Sequence, residues 1–181
     1  MKHLLSMIAV AALTTTTFAV QAADAPASAP MSHKEPHADA SFMKDAAAGG
    51  MMEVEAGQQA LQRGTDGGLK TFAQTMVDDH TKANEELSAL AASKGVELPK
   101  EPSLTQRAKL KMLPNKAGAS FDKHYADMNV SAHKDTIKMF QKEAKSGKDA
   151  DVRAFASKTL PTLQHHLEMA QSVQASVKDK K

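Results

Sequence analysis

The connection from Val96 to Ser120 constrains this chain more than any other segment. It is about 25 residues long and carries Pro99, Pro102 and Pro114 between two long stretches of helical periodicity. The other breaks are short: "RGTDGG" between the first and second stretches, and a few residues around Gly147 between the third and fourth. Antiparallel neighbours in an up-and-down bundle need only about 2–8 linking residues. A helix of about 25 residues is roughly 37 Å long, a span that the long connection can traverse. Ser103-Leu104-Thr105-Gln106 opens a short helix inside it as a capping box, running to about Leu113.

The four long stretches each show one apolar stripe. The first, about Ser41–Gln62, lines up Phe42, Ala46, Gly49, Gly50, Val54, Gly57 and Leu61. The second, about Leu69–Lys94, repeats Leu69, Phe72, Met76, Ala83, Leu87 and Leu90; Asp66 caps it and Gly95 ends it in a left-handed conformation. The third, about Phe121–Lys145, carries Tyr125, Met128, Val130, Ile137 and Phe140. The fourth, about Asp149–Val177, carries Val152, Phe155, Ala156, Leu160, Leu163, Ala170 and Val173. Period-two alternation is absent, so the class is all-α. Short, long, short connections, with helices two and three parallel, describe a ferritin-like four-helix bundle with one long crossover.

The N-terminal residues read as a targeting segment. Lys2 and the apolar run Leu4–Leu13 precede a small-residue cleavage pattern at Val20-Gln21-Ala22, so 1–22 is a signal peptide and the mature chain starts at Ala23. Residues 23–40, rich in alanine and proline, form a disordered linker in which His33 and His37 are solvated. The domain occupies 41–177, and 178–181 are a basic tail. The chain has no cysteine, which removes disulfides, thiolate ligands and a lipidated cleavage site. Lys and Arg number 23 against 21 Asp and Glu, a balance that argues for neither nucleic acid nor an anionic membrane surface. No transmembrane segment remains after signal cleavage. The expected location is periplasmic or secreted, peripheral to the outer membrane at most, with an unidentified protein of the cell envelope as partner.

Four polar residues interrupt the apolar stripes. Glu53 continues Ala46, Gly49, Ala56 and Ala60 in helix one; His80 falls between Met76 and Leu87 in helix two. His133 lies between Val130 and Ile137, and His166 between Leu163 and Ala170. Their neighbours Glu55, Asp79, His124 and His165 track with polar residues and face water, His165 pairing weakly with Glu168. Counted from the end of the bundle shared by helix one's C-terminus, Glu53 is about 9 residues in, His80 about 11, His133 about 12 and His166 about 11, within roughly one turn at 1.5 Å per residue. Four ionisable groups at one depth need partners when buried. They can share protons as a polar core network, or together hold one transition metal ion (Zn, Cu, Fe or Ni) through imidazoles and a carboxylate.

Other features are better explained by packing. Met51, Met52, Met76, Met128, Met139 and Met169 lie near the stripes, but no tight Met-x-x-Met array marks copper, and methionine fills cores readily. Tyr125 reads as core. Pro161, inside helix four, removes an N–H and crowds the Ser157 carbonyl, so a kink is expected near Ser157–Pro161 that either curves the helix around the crossover or opens room beside His166.

The stretches "SFMKDAAAGGMMEVEAGQQAL", "LKTFAQTMVDDHTKANEELSALAASKG", "SFDKHYADMNVSAHKDTIKMFQKEA" and "VRAFASKTLPTLQHHLEMA" resemble the bacterial domain of unknown function 4142 family over about Ser41–Val177. That resemblance implies an exported ferritin-like bundle, of a kind often labelled an outer membrane protein, and no established activity. Glu53, His80, His133 and His166 are the polar positions the family pattern is expected to include. Ferritin-type di-iron sites use Glu-x-x-His on two helices; here Val77, Val130 and Leu163 stand three residues before the inward histidines, which argues against ferroxidase chemistry. The outer-membrane label fits poorly with a chain lacking alternating strands and spanning helices. The leading reading is a non-enzymatic periplasmic bundle binding a metal or holding a polar cluster. The alternative is an envelope interaction or stress protein whose polar core is structural. A metalloenzyme ranks third, because no general base is identifiable.

Overall fold

The computed structural model describes residues 37–178, and all regular structure among them is helical. Five helices follow in order: α1 (His37–Arg63), α2 (Gly67–Ser93), α3 (Leu104–Lys111), α4 (Ala119–Ser146) and α5 (Ala150–Lys178). The signal peptide, His33 and the tail residues 179–181 lie outside the described residues, as does most of the linker.

The helix ends follow from local chemistry. Asp66 accepts the Leu69 N–H at the start of α2. At its end Gly95 takes φ +67° while the Gly95 and Val96 amides bond back to Ala92 and Ala91, a Schellman closure. Ser103 and Gln106 form both bonds of a capping box on α3. Asp149 caps α5 through the amides of Asp151 and Val152. Helix α5 continues unbroken through Pro161. The carbonyl that the proline strands belongs to Ser157, an exposed residue where water can reach it.

One boundary differs from expectation. The sequence ends the linker at Ala40, but α1 begins at His37, and Asp39 in its first turn is buried. Asp39 accepts the backbone N–H groups of Lys148 and Asp149, so the corner between α4 and α5 draws these residues into the helix. Alanine and proline content could not foresee an acceptor used 109 residues away.

Buried carboxylates tie the helix ends together. Asp122 in the first turn of α4 accepts from Thr65 N, Thr65 Oγ1 and Asp66 N, which holds the start of α4 against the corner between α1 and α2. At the far end Lys94, following α2, pairs with Asp149 and Asp151 at the start of α5. Along their lengths α1 packs on α2 and α4 on α5, with α2 also meeting α5, α1 meeting α4, and α3 lying against α1.

Two apolar clusters fill the interior. One gathers residues such as Phe72, Met76, Phe121, Tyr125 and Val173, and is covered by Leu110 and Leu113 of the long connection. The other gathers Phe42, Leu87, Ile137, Phe140, Phe155 and Leu163. In each long helix the four inward polar residues fall between members of the two clusters, so a polar layer separates two apolar ones.

Candidate metal centre

The periodicity that seats the apolar clusters also seats the polar layer. His80 is one turn beyond Met76, and His133 three residues beyond Val130. His166 is three beyond Leu163, and each of the three helices turns its histidine to the interior. Glu53, His80, His133 and His166 are all buried.

The three histidines meet. Their ring centroids are 5.8 Å apart for His80 and His133, 5.3 Å for His80 and His166, and 5.5 Å for His133 and His166. One ring nitrogen from each lies within 4.8 Å of the other two. Tetrahedral coordination at about 2.0–2.1 Å per Zn–N bond sets nitrogens about 3.3 Å apart, so modest side-chain adjustment brings the trio into metal reach.

Hydrogen bonds fix which nitrogen of two rings offers a lone pair. The Nδ1–H of His133 donates to the Asn129 carbonyl at 3.0 Å, since a carbonyl can only accept. That leaves Nε2 as the lone-pair nitrogen. The Nε2–H of His166 donates to Asp79 Oδ2 at 2.9 Å, which leaves Nδ1. His133 Nε2, His166 Nδ1 and His80 Nε2 are all buried without a hydrogen-bond partner. Metal-binding histidines characteristically donate the second ring N–H to a carbonyl or carboxylate in this way.

The charge state suits a cation as well. Burial holds the His80 ring well below its ordinary value of 6.5, with His133 and His166 adding repulsion. Burial pushes His133 down to about 4, partly offset by its bond to Asn129. His166 is lowered by burial and raised in part by Asp79. At neutral pH the three imidazoles are uncharged, the form that ligates a metal.

Glu53 does not belong to the trio. It is buried beside it, with Oε2 unpartnered, and shares a cavity of about 320 Å³ with His80 and His133. Burial raises its carboxyl to about 8, against a lowering by Lys109 of α3. Burial and then Glu53 raise the Tyr125 phenol, partly offset by Asn129. So α1 contributes its carboxyl to the cavity wall, and the tightest grouping is three histidines from α2, α4 and α5.

The outward residues fall largely as their patterns dictate. Glu55, His124 and His165 are exposed, and His165 Nδ1 stands 3.9 Å from Glu168 Oε2. Asp79 lies at the edge of the wet side. It remains 43% exposed yet reaches across from α2 to His166 on α5. Polar periodicity cannot detect this, because it does not say which helix lies beside the outer edge of α2. The adjacent pair Asp79-His80, one residue turned sideways and one inward, was the available signal.

A family model described as "Domain of unknown function (DUF4142)" matches residues 21–173, a span that reaches from before α1 into the last turns of α5. No curated protein and no solved structure matches the chain.

Proposed function

The chain belongs to the DUF4142 family, and from that premise we propose a helical bundle whose central layer holds one transition metal ion through His80, His133 and His166. Two observations carry this reading: three buried rings each bring a nitrogen within 4.8 Å of the other two, and each ring has one buried nitrogen with no hydrogen-bond partner. Two of them are aimed by donor bonds to Asn129 and Asp79. Leaving buried polar atoms unpaired costs about 1–3 kcal/mol each, a cost that a bound ion offsets. Neutral imidazole ligands without thiolates suit Zn²⁺, Cu²⁺, Ni²⁺ or Fe²⁺. Glu53, separate from the trio, lines the cavity beside it.

The bundle is ferritin-like in our reading, with the long connection around α3 as its crossover. Support comes from the contacts at its ends. Asp122 brings the start of α4 to the start of α2, and Lys94 brings the end of α2 to the corner after α4, so α2 and α4 run the same way. We further propose that the protein works in the periplasm, on the strength of the leader pattern at Lys2, Leu4–Leu13 and Val20-Gln21-Ala22. Among the described residues no helix is long and apolar enough to cross a membrane.

The test is metal content and calorimetric titration of the purified chain beside His80→Ala and His133→Ala. One equivalent bound by the wild type, and at least tenfold weaker binding in both variants, is the expected result. Equal, substoichiometric metal in all three proteins leaves the layer as a structural polar core and ends the metal reading.

A further inference from the structure

We infer that the cavity beside the histidine trio admits a small aliphatic monocarboxylate, which supplies the fourth ligand of the metal; this rests on the metal reading above. The geometry is asymmetric about the trio. His80 and His133 line the cavity, whereas His166 does not and is held from the other side by Asp79. An ion held by the three nitrogens therefore has protein behind it and the cavity in front. Catalytic and exchangeable sites have this arrangement, with three protein ligands and one position reached by small molecules.

Charge selects an anionic head. Metal-bound imidazoles are neutral, so the ligands themselves leave the ion's two positive charges uncancelled; Asp79 acts through His166, and the Glu53 carboxyl stands on the cavity wall. Lys109 at the mouth adds a further positive charge, and Gln106 offers Nε2, because its Oε1 is engaged by the Ser103 amide. Asp45 and Asp135 sit on the exposed rim, which disfavours multiply charged anions such as phosphate. An apolar body suits the buried Leu87, Phe140, Phe155 and Leu163 of the wall. A volume of about 320 Å³ is at the small end of ligand pockets.

The glycines of α1 add an independent observation. A Cβ at Gly50 would collide with the Asn84 carboxamide, so packing explains that glycine. A Cβ at Gly49 would meet only Gln106 Nε2, at 3.8 Å, which is ordinary contact. Glycine inside a helix is unfavourable by about 1 kcal/mol relative to alanine, and no clash requires it here. What its missing side chain leaves is room in the cavity that it lines.

The experiment loads the full chain with Co²⁺ and follows its visible bands during titration with butyrate. In the wild type the bands shift saturably. Gly49→Leu should keep its Co²⁺ stoichiometry and weaken the butyrate response at least tenfold, with Gly49→Ala intermediate; the alanine variant also serves if leucine prevents folding. Bound Co²⁺ with bands indifferent to butyrate overturns this inference and leaves the metal reading intact. So does a Gly49→Leu variant that responds like the wild type. Bands that move on Glu53→Gln without butyrate assign the fourth position to Glu53 and likewise overturn it. No Co²⁺ bound at all removes the metal reading and this inference together.

Discussion

Asp122 and the histidine layer are comparably buried and opposite in how they are satisfied. The Asp122 carboxylate, 2% exposed, accepts from two backbone amides and one hydroxyl, and each bond ties α4 to the corner between α1 and α2. His133 and His166, each 1% exposed, engage one nitrogen and leave the other without a partner. Interior polar groups that serve stability use their full bonding capacity, because every unmade bond carries a desolvation penalty. The Asp122 clasp meets that standard and the histidine layer does not. Burial alone therefore says little about what a polar residue is for; here three rings that meet, each with an unmet bond, distinguish the layer from the clasp.

The comparison predicts that the two regions fail differently. Asp122→Ala strands three donors at a buried corner and should lower unfolding stability by roughly 3–4 kcal/mol. Urea denaturation would register this as a lower midpoint at unchanged slope, with or without added metal. A midpoint within error of the wild type would mean that the corner is held by packing instead. The next largest effect is the response of the layer to acid. With its folded value pushed from 6.5 to about 4, His133 contributes stability that is complete above the unfolded value and is lost as pH falls toward 4. By pH 5 the loss is on the order of 2 kcal/mol. His80 from α2 and His166 from α5, with Asp79 behind it, face the same ring, and the two neighbouring histidines act in the same direction. Glu53, raised to about 8, works oppositely, favouring the fold as pH falls. The clean readout is thus the stability difference between wild type and His133→Leu, in chelator, at pH 7.5 and pH 5. That difference should move against the wild type at pH 5; an unchanged difference would place His133 in contact with water.

Much of this contrast is legible in the sequence, for reasons that also explain the gaps. A 3.6-residue stripe reports which way a side chain points from its own axis, so Glu53, His80, His133 and His166 read as inward, and all four are buried. Short corners after α1 and α4 fix where the counting starts, so three histidines on different helices could be set within a turn of one another. The stripe does not report which neighbour occupies each side. It therefore cannot separate Glu53, which faces the cavity, from the histidines that face one another. Nor can it show Asp79 bending across the seam between α2 and α5. Asp39 was hidden differently: its partners are backbone amides at a corner near the other end of the chain, and no side-chain pattern encodes them.

Asp79 gives the smallest effect and the sharpest comparison, because it is a carboxylate in contact with the layer that is itself only partly buried. If it orients the His166 ring, Asp79→Ala should weaken metal binding by about tenfold, or about 1.4 kcal/mol, the lower range for a residue that positions a ligand. The metal-free protein should barely change, since a half-exposed carboxylate contributes under about 1 kcal/mol. Asp79→Asn retains an acceptor without the charge and should fall between. Calorimetric titration with Zn²⁺ beside urea denaturation in chelator measures both quantities on the same samples. A large loss of metal-free stability with unchanged affinity would make Asp79 a fastening of the Asp122 kind and remove the carboxylate from the site. A loss of affinity alone ties it to the ring nitrogen on the far side of His166, the atom whose unmet bond marks the layer.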